Sequence, residues 1–232
     1  MTLPFDEVYL LNMVERQDKY IRMRERIDYM GWNVIDFRVV SHPISNTIVE
    51  CMGNDLSGHG YAIYYGGVFN CTREQYTIIK SAYLRGLESV AIIEDDASFL
   101  KDKNIWTEYI DTIPQDYDVL RFNSLRGSNE EQYCAKSETN WVPLMSLIWG
   151  TGFYALSRRG MEYMIRYIDN DYCPIDVPIS KPTNHVNIYI PKIELSLCLD
   201  DSFSSDIRGD ISDKDFANAY KKISTFDKNN YI

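Results

Sequence analysis

Three adjacent carboxylates, Glu94-Asp95-Asp96, close a run of small and branched apolar residues, Ser89-Val90-Ala91-Ile92-Ile93. Like charges set side by side repel, so such a triplet at the end of a buried strand calls for compensating positive charge. Hard cations such as Mn2+ or Mg2+ take oxygen ligands of this type and keep open positions for phosphate oxygens. Side chains alternate along a strand, which predicts Glu94 and Asp96 on one face and Asp95 on the other. A solvated acidic loop that merely follows a strand is the plainer reading. The apolar run directly before the triplet favours function, because the chain leaves the core there. By itself the triplet suits a group transferase and a metal-dependent phosphatase alike.

Other residues could add chemistry. Asp176 lies in Cys173-Pro174-Ile175-Asp176-Val177-Pro178, a proline-flanked stretch stiff enough to present a carboxylate into a cleft; a turn or cap aspartate fits it equally. Asp200-Asp201, after an alternating segment, is the rival pair. Gly150 and Gly152 would let a backbone approach a ligand closely, or simply bend the chain. Arg121 and Arg126 follow the strand after the triplet and could steady anionic charge, although surface arginines are the plainer reading. His42, His59 and His185 are isolated, and only His185 falls late enough to complete a metal shell.

The elements that position these residues follow from periodicity. Val8 to Met13 is a short apolar run that suits a buried first strand. Tyr20, Met23, Ile27 and Met30 recur at steps of three and four, a helical face that Gly31 ends. Val34 to Val40 predicts a second strand, and this strand-helix-strand opening argues for a parallel sheet covered by helices. Residues 41–67 hold turn formers and little periodicity, so they read as loop with short elements. Thr72 with Gln75 three residues on has the pattern of a capping box, opening a helix to about Arg85. The spacing predicts strands over Ser89–Ile93 and Asp118–Phe122, then a loop over 127–140. Strand-like segments lie within Trp141–Leu156, and a helix is predicted from Ser157 to Ile168. Asn187 to Leu199 alternates, and a final amphipathic helix starts near Asp213.

Composition bounds the classes. The chain has 232 residues, 45% hydrophobic and 25% charged, ordinary for a globular protein with a sizeable core. No apolar run approaches the ~20 residues that span a bilayer. No secretory pattern opens the chain, which predicts a cytoplasmic protein. The formal net charge is −10, which argues against nucleic acid as the main ligand, since that affinity comes chiefly from Lys and Arg on phosphates. The five cysteines are widely spaced with no C-x-x-C, so they read as reduced thiols.

The order of these segments resembles glycosyltransferase family 25, which includes lipopolysaccharide and collagen galactosyltransferases. Val8-Tyr9-Leu10-Leu11-Asn12 is similar to the family's opening strand, with Arg16 where basic residues follow. Gly67-Val68-Phe69-Asn70-Cys71-Thr72 resembles its glycine-and-cysteine segment, and Ile92-Ile93-Glu94-Asp95-Asp96-Ala97 its Glu-Asp-Asp strand end. Trp149 to Ser157 resembles the run before its late helix, Pro174-Ile175-Asp176 its Pro-x-Asp, and Ser204-Ser205-Asp206-Ile207 its closing motif. One departure stands out: where the family has C-x-x-S-H, this chain has Cys71-Thr72-Arg73-Glu74-Gln75.

The resemblance implies an α/β, GT-A-like nucleotide-binding domain over 1–232, with a mostly parallel central sheet flanked by helices. Its donor-binding part covers about 1–125, its acceptor-side part about 126–210, and its tail 211–232. It implies transfer, with inversion, from a UDP-sugar (galactose by default) to a glycan or glycolipid acceptor, as in lipopolysaccharide biosynthesis. Mn2+ or Mg2+ would be held by Asp96 with Glu94 nearby. Asp95 would orient the ribose or support the metal, Asn12 and Arg16 would lie beside the uridine, and Gly150 and Gly152 beside the donor sugar. Asp176 would be the base. Two rival expectations are a non-catalytic carbohydrate- or nucleotide-binding protein and a metal-dependent phosphoesterase.

Overall fold

The computed structural model describes residues 2–40, 59–99, 101–122, 139–145, 150–170, 174–180, 183–193 and 195–197; over 59–69 it describes the backbone alone. The strands are β1 (Glu7–Met13), β2 (Ile35–Val39), β3 (Ser89–Glu94), β4 (Ser98–Phe99), β5 (Val119–Arg121), β6 (Trp141–Pro143), β7 (Phe153–Ser157), β8 (Ile188–Pro191) and β9 (Ser196–Leu197). The helices are α1 (Gln17–Met30), α2 (His59–Leu84), α3 (Lys103–Asp111), α4 (Arg158–Asn170) and α5 (Asp176–Ser180).

Among the described residues, seven strands form one sheet in the order β2-β1-β3-β7-β5-β8-β6, and β4 pairs with β9 in a separate ribbon. β1 is parallel to β2 and β3, whereas β7 runs against both β3 and β5. β8 is parallel to β5, and β6 runs against β8. Five strands therefore point one way, and the sheet is mixed but mostly parallel in direction. The chain leaves β1 for β2 on one side and returns to β3 on the other. The β1/β3 crevice is thus the point where strand order reverses, which is where open α/β sheets bind ligands.

Alternation sorts the two cores. Val8, Leu10, Ala91 and Ile93 face a cluster with Met23 and Ile27 of α1 and Trp106 of α3. Within it Phe153 stacks on Phe122 with centroids 4.3 Å apart. Leu11, Val90 and Ile92 face the other way, onto Ile78 and Ile79 of α2 and Met161 and Met164 of α4. Burying both faces explains why β3 reads as a continuous apolar run. Gly31 ends α1 in the left-handed conformation, φ 71°, with its N–H on the Asp28 carbonyl. That termination is the one its sequence predicts.

Two expectations fail. The helix through Thr72 is 26 residues long and begins at His59, so 59–67 is not loop and Thr72 is no N-cap. Thr72 is fully buried inside the helix, and its Oγ1 accepts the Ile175 N–H at 3.1 Å. The Gly66-Gly67 pair costs about 1 kcal/mol per glycine in helix propensity, a local penalty that the rest of the long helix outweighs. Alternation also stops one residue early. β3 ends at Glu94, and Asp95 and Asp96 form a turn closed by the Ala97 N–H on the Glu94 carbonyl, 3.1 Å. The strand-face pairing of Glu94 with Asp96 therefore does not hold. Residues 41–58, the expected loop 127–138, Asp200-Asp201, the 204–207 motif and the tail helix lie outside the described residues. No described helix is long and apolar enough to cross a membrane.

Candidate functional site

Glu94 sits at the carboxyl end of β3 with the same parity as Ile92, so its side chain turns to the α2 face. There Oε1 accepts from Thr151 Oγ1 at 2.6 Å, from Gln75 Nε2 at 2.6 Å and from Cys71 Sγ at 3.6 Å. Gln75 is fully buried, and its Oε1 accepts the Tyr154 hydroxyl at 2.6 Å. Desolvation raises the Glu94 pKa above the ordinary carboxylate value, and the neighbouring Asp95 charge adds to it; the donors from Thr151, Cys71 and Gln75 oppose the rise. Burial, then the Glu94 charge, pushes the Cys71 thiol and the Tyr154 hydroxyl well up. Both therefore stay protonated at neutral pH and serve as donors.

Asp95 turns toward β1. Its Oδ2 accepts from Asn12 Nδ2 at 2.6 Å, across the crevice where strand order reverses. Asn12 is itself buried; its amide also donates to the Arg16 carbonyl at 3.1 Å and accepts from Arg38 Nε at 3.3 Å. The register places Asn12 opposite Arg38 on β2, and the Arg38 guanidinium lies 4.5 Å over the Tyr20 ring. Arg16 precedes α1, with its side chain 3.2 Å from Asp18.

Asp96 completes the turn, and its Oδ1 is withdrawn from solvent. Arg26 of α1 holds the chain just beyond, its Nη1 donating to the Ala97 carbonyl at 3.1 Å. Next to the turn, the Glu94 N–H donates to the Gly152 carbonyl at 2.7 Å. Gly150 has φ 94°, a conformation that favours glycine, and its carbonyl accepts from Arg121.

Arg121 is not the surface arginine that its position in the sequence suggests. It is fully buried at the end of β5 and also donates to Ser180 Oγ at 2.6 Å. Ser180 ends α5, the short helix that Asp176 begins, so one guanidinium ties the glycine turn to the element carrying Asp176. The Ile175 N–H bond to Thr72 fixes the other end of α5 beside Cys71, close enough for the Asp176 charge to raise that thiol further. The fold thus brings Asn12, Arg16, Glu94, Asp95, Asp96, Gly150, Gly152 and Asp176 to one sheet edge or its immediate surroundings. His185 is placed elsewhere: it precedes β8 at the edge where the parallel strands begin. Arg126 lies outside the described residues.

Sequence reasoning passed over Arg26, Arg38, Cys71 as a hydrogen-bond donor, Gln75, Thr151 and Tyr154. Only the Gly150-Thr151-Gly152 triplet offered a local signal, by bracketing one polar residue with glycines; the others are defined by partners far along the chain.

Among the described residues, no group of three or more His, Cys, Asp or Glu side chains is placed to hold a metal ion. The donor set is nonetheless all oxygen and carboxylate. That suits Mg2+ or Mn2+, which bind through one or two carboxylates and leave positions for phosphate oxygens.

No protein-family model matches the chain, and no curated protein matches it either. Among solved structures the chain is similar to a glycosyltransferase involved in the glycosylation of the major capsid of PBCV-1, at 12% identity and TM-score 0.42, over 95% of this chain and 100% of that one. It is also similar to a mannose-1-phosphate geranyltransferase from Thermus thermophilus, at 11% identity and TM-score 0.38, over 82% of this chain and 58% of that one.

Proposed function

We propose that the chain is a metal-dependent glycosyltransferase of the family 25 kind, moving a sugar, by default galactose, from a UDP-sugar to a glycan or glycolipid acceptor with inversion. One observation carries this reading: the 2.6 Å bond from Asn12 to Asp95 closes the β1/β3 crevice beside two further carboxylates. A nucleotide-sized ligand at the crevice of an α/β sheet meets the carboxyl ends of the strands, and this end is acidic. A diphosphate is held against acidic groups through a cation.

Asp96, with Glu94 behind it, would hold Mn2+ or Mg2+, and the ion would supply positive charge against the negative charge growing on the departing diphosphate. Asp95, oriented by Asn12, accepts from the ribose hydroxyls, and Arg16 lies near the base. Gly150 and Gly152 leave room for the donor sugar against the backbone. Asp176 accepts the proton of the acceptor hydroxyl as that oxygen attacks the anomeric carbon from the face opposite the leaving group. Arg121 and Ser180 fix Asp176 relative to the glycine turn. The donor part covers about 1–125 and the acceptor part about 126–210, within one domain.

The test is transfer from UDP-galactose and related UDP-sugars to a panel of glycan and glycolipid acceptors, with Mn2+ and with excess EDTA. Sugar transfer that EDTA abolishes is the expected result. Binding of UDP without transfer or donor hydrolysis would support a non-catalytic protein instead. Hydrolysis of simple phosphate esters regardless of the sugar would support a phosphoesterase.

A further inference from the structure

Away from the carboxylate turn, the outer stripe of α4 and the segment ahead of β8 enclose a cleft of about 580 Å³. That is within the range of about 300–1,000 Å³ typical of small-molecule sites. The cleft runs along α4 from Arg159 and His185, where the parallel strands begin, to Asn170, whose neighbour Asp169 accepts from the Tyr76 hydroxyl of α2. Tyr163 and Tyr167 stand one helical turn apart in the cleft, centroids 5.7 Å apart and planes at 59°. Arg166 pairs with Glu162 at 2.5 Å, with Asn170 and His185 alongside. Arg159 reaches down to the buried Asp118, 2.5 Å away.

The charges in this cleft cancel in pairs. A polyanion such as nucleic acid or a phosphorylated chain would meet as much acid as base. A purely apolar partner would have to bury the Arg166–Glu162 pair, which is costly when the charges lose water. What the cleft offers instead is two aromatic faces beside solvent-facing donors (Arg166, Asn170) and acceptors (Glu162, Asn170) on the same helix. A sugar ring presents the matching features: a C–H face that lies on an aromatic ring, and neighbouring hydroxyls that both donate and accept.

We propose that this cleft binds a short neutral oligosaccharide, at a site separate from the carboxylate turn. Such a site would hold an extended acceptor at a distance from its reacting end, and that link alone rests on the transferase reading.

The test uses the full chain on arrayed neutral oligosaccharides (gluco-, galacto- and manno- series), with a heparin hexasaccharide as the anionic arm. The strongest ligand is then titrated by calorimetry. One neutral series should bind, Arg166→Ala and Tyr167→Ala should each weaken it at least tenfold, and Tyr167→Phe, which keeps the ring, should bind nearly as the native chain does. Circular dichroism and melting check that the variants fold. The proposal is overturned if no neutral saccharide binds, if heparin alone binds, or if binding survives both alanine substitutions in folded protein. Saccharide binding without sugar transfer would leave the cleft standing and remove the transferase reading, so the two fail separately.

Discussion

Glu94 and Asp96 are two residues apart, yet the fold gives them different work. Glu94 is enclosed by Thr151, Gln75 and Cys71, whereas Asp96 ends the turn beyond the strand. Asp96→Ala should therefore abolish Mn2+-dependent UDP binding while the melting temperature stays near native; calorimetric titration of UDP with Mn2+ checks this, and unchanged affinity would remove Asp96 as the ligand. Glu94 carries the opposite liability. Its folded pKa is raised, so the stability it contributes is fully present below the unfolded value of about 4.3 and declines as pH rises through the folded one. Glu94→Gln keeps an acceptor oxygen for Thr151 and Gln75 but carries no charge. At pH 7 it should melt higher than the native chain, by on the order of 2–4 °C per kcal/mol recovered. Near pH 4 the gain should vanish in scanning calorimetry. Asp176→Asn addresses the base: it is nearly isosteric but cannot accept a proton at neutral pH, so turnover should drop by roughly two to four orders of magnitude. UDP affinity should hardly change. Survival of turnover there, with collapse in Asp200→Asn or Asp201→Asn, would move the base to the later pair.

At the scale of elements, the crossing of β5, β7 and α4 is where the sheet depends most on one small residue. Gly160 opens α4 against the residue ahead of β5, and a Cβ built on it would lie 2.0 Å from the Asp118 carbonyl oxygen. That neighbour is backbone, and Asp118 is itself held by Arg159, Ser157 and the Asn187 N–H. Gly160→Ala should destabilise the chain by about 1–3 kcal/mol or more, the scale of overpacking, as measured by urea unfolding. The same elements show what was legible in the sequence. β1 and β3 announce themselves as apolar runs that the two cores bury, α1 by a helical apolar face that Gly31 ends, and β2, an edge strand with no fully buried residue, by its branched and aromatic residues. α2 was misread because its first half carries Gly66-Gly67 and its stop and start signals disagree with its length. Thr72-x-x-Gln75 imitates a cap, although Thr72 spends its hydroxyl on Ile175, 103 residues away. The triplet Glu94-Asp95-Asp96 was legible as the end of a buried strand, but its geometry was not. Period-2 reasoning assumes that a strand continues, and what ends β3 is a turn tied to Gly152, Asn12 and Arg26 from three other segments. Arg121 looked like surface for the same reason: nothing local records that Gly150 and Ser180 will converge on it.

For the whole molecule, the net charge of −10 sets which phosphates it can hold. Nucleic-acid affinity rises with each phosphate neutralised by Lys or Arg, through released counterions. Across this chain acidic residues outnumber basic ones 34 to 24, so the long-range field repels a polyanion before any contact forms. The basic groups near the crevice are individually engaged: Arg38 with Asn12 and Gln17, Arg26 with Ala97, and Arg121 with Gly150 and Ser180. Among the described residues, following a run of phosphates along that edge would break these contacts. A single nucleoside diphosphate poses a different problem, since one divalent cation offsets its charge locally and the remaining field is screened within ~10 Å at 0.1 M salt. Fluorescence anisotropy with a random oligonucleotide should accordingly detect no binding at moderate salt, with or without Mn2+. Under the same conditions UDP should bind when Mn2+ is present and be released by EDTA. Tight oligonucleotide binding that weakens steeply with salt would overturn the electrostatic argument, and UDP binding indifferent to EDTA would overturn the role given to the cation.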